Sequence, residues 1–171
     1  MSTLKVGTIQ DHTNGNNALL INNLGIVTTP ARPAFRVEKR ASNQSISDTT
    51  NTKVTFEHEA FDIGGNYASD KFTAPVAGIY HFEACLRCVA NGGTMEFAAA
   101  YLYKNGSHFT DLIQIQTSTN NLANSHINGG VTIQLAANDF IEIYGSISGT
   151  SPVIQAHATG QRTYFSGFLI G

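Results

Sequence analysis

The sequence predicts an all-β fold, a sandwich or barrel of short antiparallel strands, from three observations. Aromatic residues recur between glycines and a proline across residues 56–82. Apolar and polar residues alternate strongly from Ile79 to Ala90, and an Asn105-Gly106 pair lies between two further alternating runs. Short strands with this punctuation are typical of β-sandwiches and barrels, so we expect almost no helix.

Residues 1–30 differ in character from the rest of the chain. The runs LKVGTIQ, ALLIN and GIVTT indicate three short strands, joined by two turns that contain Asn and Gly. Three short strands cannot form a core alone, so they need the rest of the chain, symmetry copies or another protein. Pro30 and Pro33 predict a stiff extended hinge, which divides the chain into residues 1–30 and 31–171.

The main part of the chain begins with the strands FRVEK and KVTFE, separated by a polar loop over residues 41–52. The next strand is expected to end near Phe61, before a turn that contains two glycines. A second strand is entered through Phe72 and resumes at Gly78, because Pro75 removes a hydrogen-bond donor from the ladder.

The later strands follow from alternation and one turn. Between Ile79 and Ala90, five residues share one face, which predicts the side of the strand that packs in the core. They are Tyr80, Phe82, Ala84, Leu86 and Cys88. The runs EFAAAYLYKNG and SHFTDLIQIQTS form a predicted hairpin at Asn105-Gly106, and the alternation in RTYFSGFLIG suits a strand at the centre of a sheet.

Several aromatic and glycine residues resemble, in order and nearly in spacing, the signature of the complement C1q globular head. They are Phe56, Asp62, Tyr67, Phe72, Gly78, Tyr80 and Phe82, with PAFRV, YLYKNG and YFSGFLI supporting the match elsewhere. The Tyr67 to Phe72 interval is two residues shorter than the family pattern, and Ala84 replaces a usual aromatic. The resemblance implies an antiparallel jelly roll of about ten strands, of the tumour-necrosis-factor type, which forms homotrimers.

The N-terminal run LKVGTIQD, followed by LLIN and GIVT, resembles the start of virion fibre and tail proteins of bacteriophages, marine ones especially. In such proteins this segment precedes a C-terminal binding head. The resemblance implies that residues 1–30 are attachment or oligomerisation strands that contact other virion proteins, and that residues 31–171 form the head.

Composition limits the classes of function. Of the 171 residues only 13% are charged, well below the roughly 25% of an average soluble domain, so uncharged polar side chains supply the surface. The net charge of −2, with scattered Lys and Arg, gives no support for nucleic-acid binding. No apolar run is long enough for membrane insertion, and no secretory signal or collagen-like repeat is visible, so we expect synthesis in a host cytoplasm.

Catalytic and metal sites find little support in the sequence. No combination of nucleophile, base and orienting acid is visible, so we do not expect an enzyme. Cys85 and Cys88 are three residues apart on a predicted strand, so they point to opposite faces and cannot share a metal without a bulge. Asp62, Asn66 and Asp70 are candidate calcium ligands, although turn formation alone accounts for them; no other cofactor is expected.

Two further sets of residues are predicted to mediate recognition. The ligand-loop candidates lie in Asn-, Ser- and Thr-rich loops over residues 43–52, 64–70, 91–94 and 117–124, expected at the distal end of the trimer. They are Asn43, Ser45, Asn66, Asn91, Thr117, Asn120 and Asn121. The trimer-axis candidates are aromatic residues left over from filling the sandwich. They are Tyr101, Tyr103, Phe165 and Phe168.

These observations favour a phage virion protein of tail-fibre type, whose trimeric head binds a host cell-surface glycan or protein. Two alternatives stay open. The first is a capsid decoration or cement trimer, which differs only in where residues 1–30 dock. The second is a free soluble lectin of the complement type, which would need no docking strands.

Overall fold

The computed structural model describes residues 5–118, 122–159 and 162–171. In these ranges the secondary-structure elements are all β-strands. The strands are β1 (Thr8–Gln10), β2 (Asn17–Ile21), β3 (Val27–Thr28), β4 (Ala34–Glu38), β5 (Gln44–Ser45), β6 (Thr52–Lys53), β7 (His58–Ile63), β8 (Tyr67–Ala68), β9 (Lys71–Thr73), β10 (Gly78–Ala90), β11 (Met95–Lys104), β12 (Ser107–Gln116), β13 (Asn124–Leu135), β14 (Phe140–Gly149), β15 (Pro152–Ile154) and β16 (Tyr164–Leu169). The prediction of an all-β jelly roll is confirmed. Across these ranges no helix is long and apolar enough to cross a membrane.

Strands β4 to β16 form two antiparallel sheets. The seven-stranded sheet has the order β5-β15-β10-β16-β4-β7, with β13 paired along the other side of β10. The six-stranded sheet has the order β12-β11-β14-β9-β8, with β6 also paired to β14. The core lies between these two sheets and draws buried side chains from both of them.

Strand β10 runs through the centre of the seven-stranded sheet, and its sequence explains its position. The side chains of Tyr80, Phe82, Ala84, Leu86 and Cys88 all have 0% exposure, so the predicted core face of this strand is confirmed. Alternate residues along a strand point to opposite faces. The intervening polar residues therefore form the outer face of this sheet.

A cluster of aromatic rings joins the two sheets. Phe35 of β4 stacks on Phe72 of β9 with ring centroids 4.8 Å apart. Phe165 of β16 meets Phe35 edge to face at 4.9 Å. Each such pair contributes about 0.5–1.5 kcal/mol beyond the burial of its area. The recurring aromatics of the sequence are therefore the contacts that hold the sandwich together.

The predicted hairpin at Asn105-Gly106 joins β11 and β12. Asn105 and Gly106 have φ angles of 53° and 78°, and two positive φ values in a two-residue loop match the right-handed twist of a hairpin. The three alanines at 98–100 lie within β11, which confirms the strand prediction for this run.

Two predictions in the first half of the head need correction. The strand expected to enter at Phe72 and resume at Gly78 is two strands in different sheets, because the chain crosses the sandwich at Pro75. The loop expected over residues 41–52 contains β5, and β6 begins at its last residue. Both strands are two residues long, too short for a periodic pattern to predict.

Strands β1, β2 and β3 form a separate three-stranded sheet. Its register places Ile9 opposite Leu19 and Ile21 opposite Val27, so these four apolar side chains share one face. None of residues 5–32 is buried. The apolar face of this small sheet therefore has no core of its own, and the division of the chain at residue 30 stays a prediction. The extended hinge predicted at Pro30 and Pro33 is wrong, because Arg32 N donates to Thr29 O at 3.1 Å and closes a turn there.

An ion pair between a buried lysine and a partly exposed glutamate lies just beyond β4. The Lys39 side chain is 1% exposed, and its Nζ donates to Glu57 Oε1 at 2.6 Å and to Thr55 O at 3.1 Å. Glu57 Oε2 also accepts from the backbone N–H of Arg40 at 3.1 Å. A buried ammonium is tolerated only when its charge is paired and its donors are satisfied. This pair therefore fixes the end of β4 against the segment that precedes β7.

Candidate functional site

The outer face of the seven-stranded sheet has an apolar end. The register places Ile63 and Phe168 on either side of Ala34, with all three side chains pointing away from the core. Five large apolar side chains are exposed at this end. They are Phe61 at 47% exposure, Ile63 at 40%, Ile79 at 46%, Phe168 at 47% and Ile170 at 44%.

A cavity of about 340 Å³ opens at the same end. Thr29 and Arg32, which precede β4, line it together with Ile63, Phe168 and Ile170. The cavity therefore continues the apolar end toward the segment that leads to the three-stranded N-terminal sheet.

The middle of this face carries a network of charged and hydrogen-bonded side chains. Glu38, which is 5% exposed, pairs with Arg36 at 2.8 Å and with Arg40 at 2.6 Å. The Arg36 guanidinium also lies 4.0 Å from the centre of the Tyr164 ring. Burial raises the pKa of Glu38, but the hydrogen bonds from Arg36 and Arg40 outweigh it and hold the pKa below its ordinary value.

Tyr164 connects this network to β10 and β13. Its hydroxyl donates to Glu83 Oε1 at 3.0 Å, and Asn128 Nδ2 donates to the same oxygen at 2.8 Å. The bonds from Asn128 and Tyr164 lower the pKa of Glu83 despite its partial burial. Burial and the adjacent carboxylate raise the pKa of Tyr164 to about 12, so the phenol stays protonated and the carboxylate stays charged.

Histidines line the remaining edge of this face. His81 contacts Thr132 Oγ1 at 3.2 Å, and its ring lies 5.5 Å from that of Phe168. His126 Nε2 lies 2.8 Å from Arg87 Nη1. Burial and the charge of Arg87 lower the pKa of His126. No group of three metal-ligating side chains occurs in the described residues.

The two cysteines point to opposite faces of β10, as the sequence predicts. Cys88 lies in the core, and burial raises the pKa of its thiol to about 12. Cys85 points outward and donates to the backbone oxygen of Arg162 at 3.3 Å. Both thiols are free and buried, which disfavours reactivity.

The structure brings two of the four candidate loops, and the described residues of a third, to one end of the sandwich, which we call the loop end. In the loop 43–52, Asp48 Oδ1 accepts from Gly149 N at 2.9 Å, and in the loop 91–94, Gly92 N donates to Thr150 O. Of the loop 117–124 the structure describes residues 117–118 and 122–124, and Leu122 is bridged to Met95 at the same end. The fourth loop, 64–70, lies at the opposite end, beside the entry of the N-terminal segment, because β7 runs antiparallel to β4. The distal assignment of Asn66 is therefore wrong.

The ligand-loop candidates at the loop end differ in whether their side chains are already hydrogen-bonded. Asn43 Oδ1 accepts from the backbone N–H of Ala156 at 2.9 Å, and Ser45 lies within β5. The Thr117 hydroxyl contacts the backbone oxygen of Met95, whereas Asn91 is exposed. Asn120 and Asn121 lie outside the described residues. These candidates stay predictions.

Two of the three calcium candidates bond within the turn between β7 and β8. Asp62 Oδ2 accepts from Tyr67 N at 2.8 Å, and Asn66 Nδ2 donates to Ile63 O at 3.0 Å. Asp70 Oδ1 instead accepts from the backbone N–H of Phe56 at 2.8 Å, 14 residues away. The turn interpretation therefore accounts for Asp62 and Asn66 but not for Asp70, and the calcium site stays a prediction.

The four trimer-axis candidates do not share a surface. Phe165 is 1% exposed and packs in the core, so its assignment to the axis is wrong. Tyr101 and Tyr103 lie on β11, on the outer face of the six-stranded sheet. Phe168 lies on the outer face of the other sheet, at its apolar end. One axis cannot contact all of them, and Phe168 is the candidate that agrees with the apolar end.

The charged network on the seven-stranded sheet was not predicted from the sequence. The signal was present in β10, where His81, Glu83, Cys85 and Arg87 alternate with the core residues and so share one face. The partners Arg36 and Tyr164 come from distant strands, so only the sheet order brings them to this face.

Comparisons with known proteins agree with this architecture. The profile of the C1q domain family matches residues 34–170. The globular domain of zebrafish complement 1qA protein superposes with a TM-score of 0.52 at 18% identity, covering 81% of this chain and 98% of that one.

Two further solved structures are similar. Eiger TNF from S. frugiperda gives a TM-score of 0.56 at 10% identity, covering 82% of this chain and 94% of that one. Murine APRIL gives 0.55 at 13% identity, covering 81% and 99%. At such low identities the likeness shows the fold alone. A search of curated proteins finds no match.

Proposed function

The chain belongs to the C1q domain family, and we propose that it is a non-enzymatic, homotrimeric receptor-binding head of a phage virion fibre. Domains of this family are often trimeric and are generally non-enzymatic. The proposed location is the virion, after synthesis in the host cytoplasm, and no cofactor is required.

The apolar end of the seven-stranded sheet is the observation that carries this proposal. Its five side chains are 40–47% exposed in the single chain, and the charged network borders them on the same face. A contiguous apolar patch with a polar border is typical of a protein interface. Packing around a threefold axis would cover Phe168 and its neighbours in each copy.

The three-stranded N-terminal sheet supports attachment to a larger particle. The face formed by Ile9, Leu19, Ile21 and Val27 has no core beneath it, and Ile9 and Val27 are 45% and 55% exposed. Contact with other virion proteins would cover this face. A free lectin has no use for such a segment, which disfavours that alternative.

The loop end supports receptor binding. The N-terminal segment enters at Pro33, whereas the loops 43–52 and 91–94, with Leu122 beside them, lie at the far end of the long strands. A head held by its N-terminal segment therefore presents these loops away from the particle.

The proposal is tested by the mass of the purified full chain in solution and by cryo-electron microscopy of the source particles. We expect the purified protein to have the mass of a trimer. In the source particles we expect density at a fibre or tail tip, with the loop end outward. Density on the capsid lattice would instead assign a decoration protein. A stable monomer at micromolar concentration, or absence from every particle, would overturn the proposal.

A further inference from the structure

The outer face of the six-stranded sheet carries an aromatic platform that the oligomeric role does not use. Tyr103 and Tyr144, on neighbouring strands, stack with ring centroids 3.8 Å apart. Tyr101 lies beside them, directly opposite Tyr144 in the register. The His108 ring contacts Tyr101 at 5.5 Å and Tyr103 at 5.6 Å. We call Tyr101, Tyr103, Tyr144 and His108 the tyrosine platform.

Hydrogen-bonding groups surround the tyrosine platform. Asn51 Nδ2 donates to the Tyr103 hydroxyl at 3.3 Å, and Asp111 accepts from His108 at 2.8 Å. Gln114 on β12 is exposed and points to the same side as Asp111. Burial, with nearby acidic groups, raises the pKa of both Tyr101 and Tyr144, so their hydroxyls remain donors. Rings and hydroxyl-bonding groups therefore alternate over a small area.

The charges of this face are matched within the face itself. Lys53 pairs with Glu142 at 2.7 Å, and the Lys71 ammonium lies 4.6 Å from the centre of the Phe140 ring. With Asp111 held by His108, two lysines face two carboxylates. Such a balanced surface offers no net charge to a phosphate, a sulfate or a strongly basic partner, so an uncharged occupant is the one it complements.

The composition of the platform also argues against a second copy as the occupant. Interfaces between copies bury apolar side chains at their centre, and those side chains are concentrated at the apolar end of the other sheet. The centre of the tyrosine platform has three hydroxyl-bearing rings instead. An occupant with alternating C–H faces and hydroxyl groups matches both features.

We propose that the tyrosine platform binds a neutral saccharide chain. The C–H face of a sugar ring lies against the aromatic rings, whose faces are electron-rich, while its hydroxyls bond to Asp111, Gln114 and the tyrosine hydroxyls. This inference rests on the proposed receptor-binding role and names the class of its receptor. It places the binding surface on the side of the head rather than in the loops alone.

The test measures binding of the full chain to soluble tetrasaccharides of glucose, galactose, mannose and N-acetylglucosamine at millimolar concentration, with a sulfated galactose tetrasaccharide as the charged comparison. The chain has no Trp and six Tyr, and half of the Tyr belong to the platform. Near-ultraviolet circular dichroism of tyrosine therefore reports occupation of the platform directly, alongside calorimetry.

The informative variants are Tyr101→Ala, which removes a ring, and Tyr101→Phe, which keeps the ring and guards against a folding defect. Glu59→Gln, on an exposed position of β7, is the matched control. We expect at least one neutral tetrasaccharide to bind and to change the tyrosine signal. Tyr101→Ala should then weaken binding about tenfold, Tyr101→Phe less, and Glu59→Gln not at all.

Three results would overturn the inference: binding to none of the neutral probes, binding to the sulfated probe alone, or equal binding by wild type and both Tyr101 variants. Each of these leaves the trimer and the virion location standing, because solution mass and particle density measure those separately. Loss of binding in Asn91→Ala, with none in Tyr101→Ala, would also overturn it and assign the sugar to the loop end.

Discussion

The two outer faces of the sandwich are built from strands of similar length but differ in what they leave in water. The seven-stranded face has aliphatic and phenylalanine side chains at one end and a buried carboxylate between two arginines in its middle. The six-stranded face has stacked tyrosines and locally matched charges. The first face leaves apolar area that burial in an interface would stabilise, whereas the second satisfies its polar and charged groups among its own side chains.

The two faces should differ most in how much each contributes to trimer formation. Phe168→Asp places a carboxylate in the apolar end, where burial in an interface would remove it from water without a partner. We expect the variant to lose the trimer and run as a single chain in analytical ultracentrifugation.

Phe109→Asp is the matched control for this experiment. Phe109 is an equally exposed phenylalanine, at 51%, on β12 of the other sheet. It should leave the trimer intact. A trimer that survives Phe168→Asp but not Phe109→Asp would reverse the roles assigned to the two faces.

The next effect concerns ion pairs. Glu57→Gln leaves the buried Lys39 ammonium without its acid, so we expect a loss of about 3 kcal/mol in the free energy of unfolding by urea denaturation. The double variant Lys39→Met with Glu57→Gln should recover much of this loss. On the six-stranded face, His108→Gln removes an exposed pair and should cost less than about 1 kcal/mol. Equal costs for the two single variants would show that Lys39 is not held as described.

Acid should destabilise the two sheets at different pH values. Glu38 and Glu83 of the seven-stranded sheet have pKa values below the ordinary value of 4.5 because arginine, asparagine and tyrosine bond to their carboxylates. Each contributes stability that is complete above pH 4.5 and is lost as the pH falls through the lowered pKa.

Asp139, beside the six-stranded sheet, has its pKa lowered from 3.8 to about 2 by bonds from Asn105 and Lys104, so its contribution begins to fall only below pH 3.8 rather than below pH 4.5. Thermal unfolding midpoints between pH 7 and pH 2 would measure this difference. Glu38→Gln should flatten the upper part of the profile, and an unchanged upper part would contradict the assignment.

The smallest effect concerns the tyrosine stack. Tyr103→Leu keeps apolar contact but removes stacking on Tyr144, so we expect a loss of about 1 kcal/mol in unfolding free energy. A parallel drop in the near-ultraviolet tyrosine signal should accompany it. A change in oligomeric state, instead, would indicate that the platform is a contact between copies.

Local sequence pattern was sufficient for the long strands but not for the two-residue strands or for the arrangement of strands in the sheets. The period of two in β10 identified its core face, and the Asn105-Gly106 pair identified the β11–β12 hairpin. Asn66 was placed at the wrong end of the sandwich. The end at which a loop lies depends on the order of the strands in the sheets, and no local sequence pattern contains that order.

The grouping of Phe165 with Phe168 could have been avoided, because side chains alternate between the two faces of a strand. Phe165 and Phe168 are three residues apart on one strand, so they must point to opposite faces, as the two cysteines do. Tyr101 and Tyr103 do share a face, as parity requires, but their sheet could not be known before β11 was paired with β14.

The position of β4 has a mechanical consequence. This strand directly follows Pro33 and lies between β16 and β7, with hydrogen bonds to both neighbours along its whole length. A pull applied at Pro33 along the strand axis would have to shear the bonds on both sides together rather than open them one at a time. A head tethered through residue 33 would thus resist tension at the very point where tension enters it.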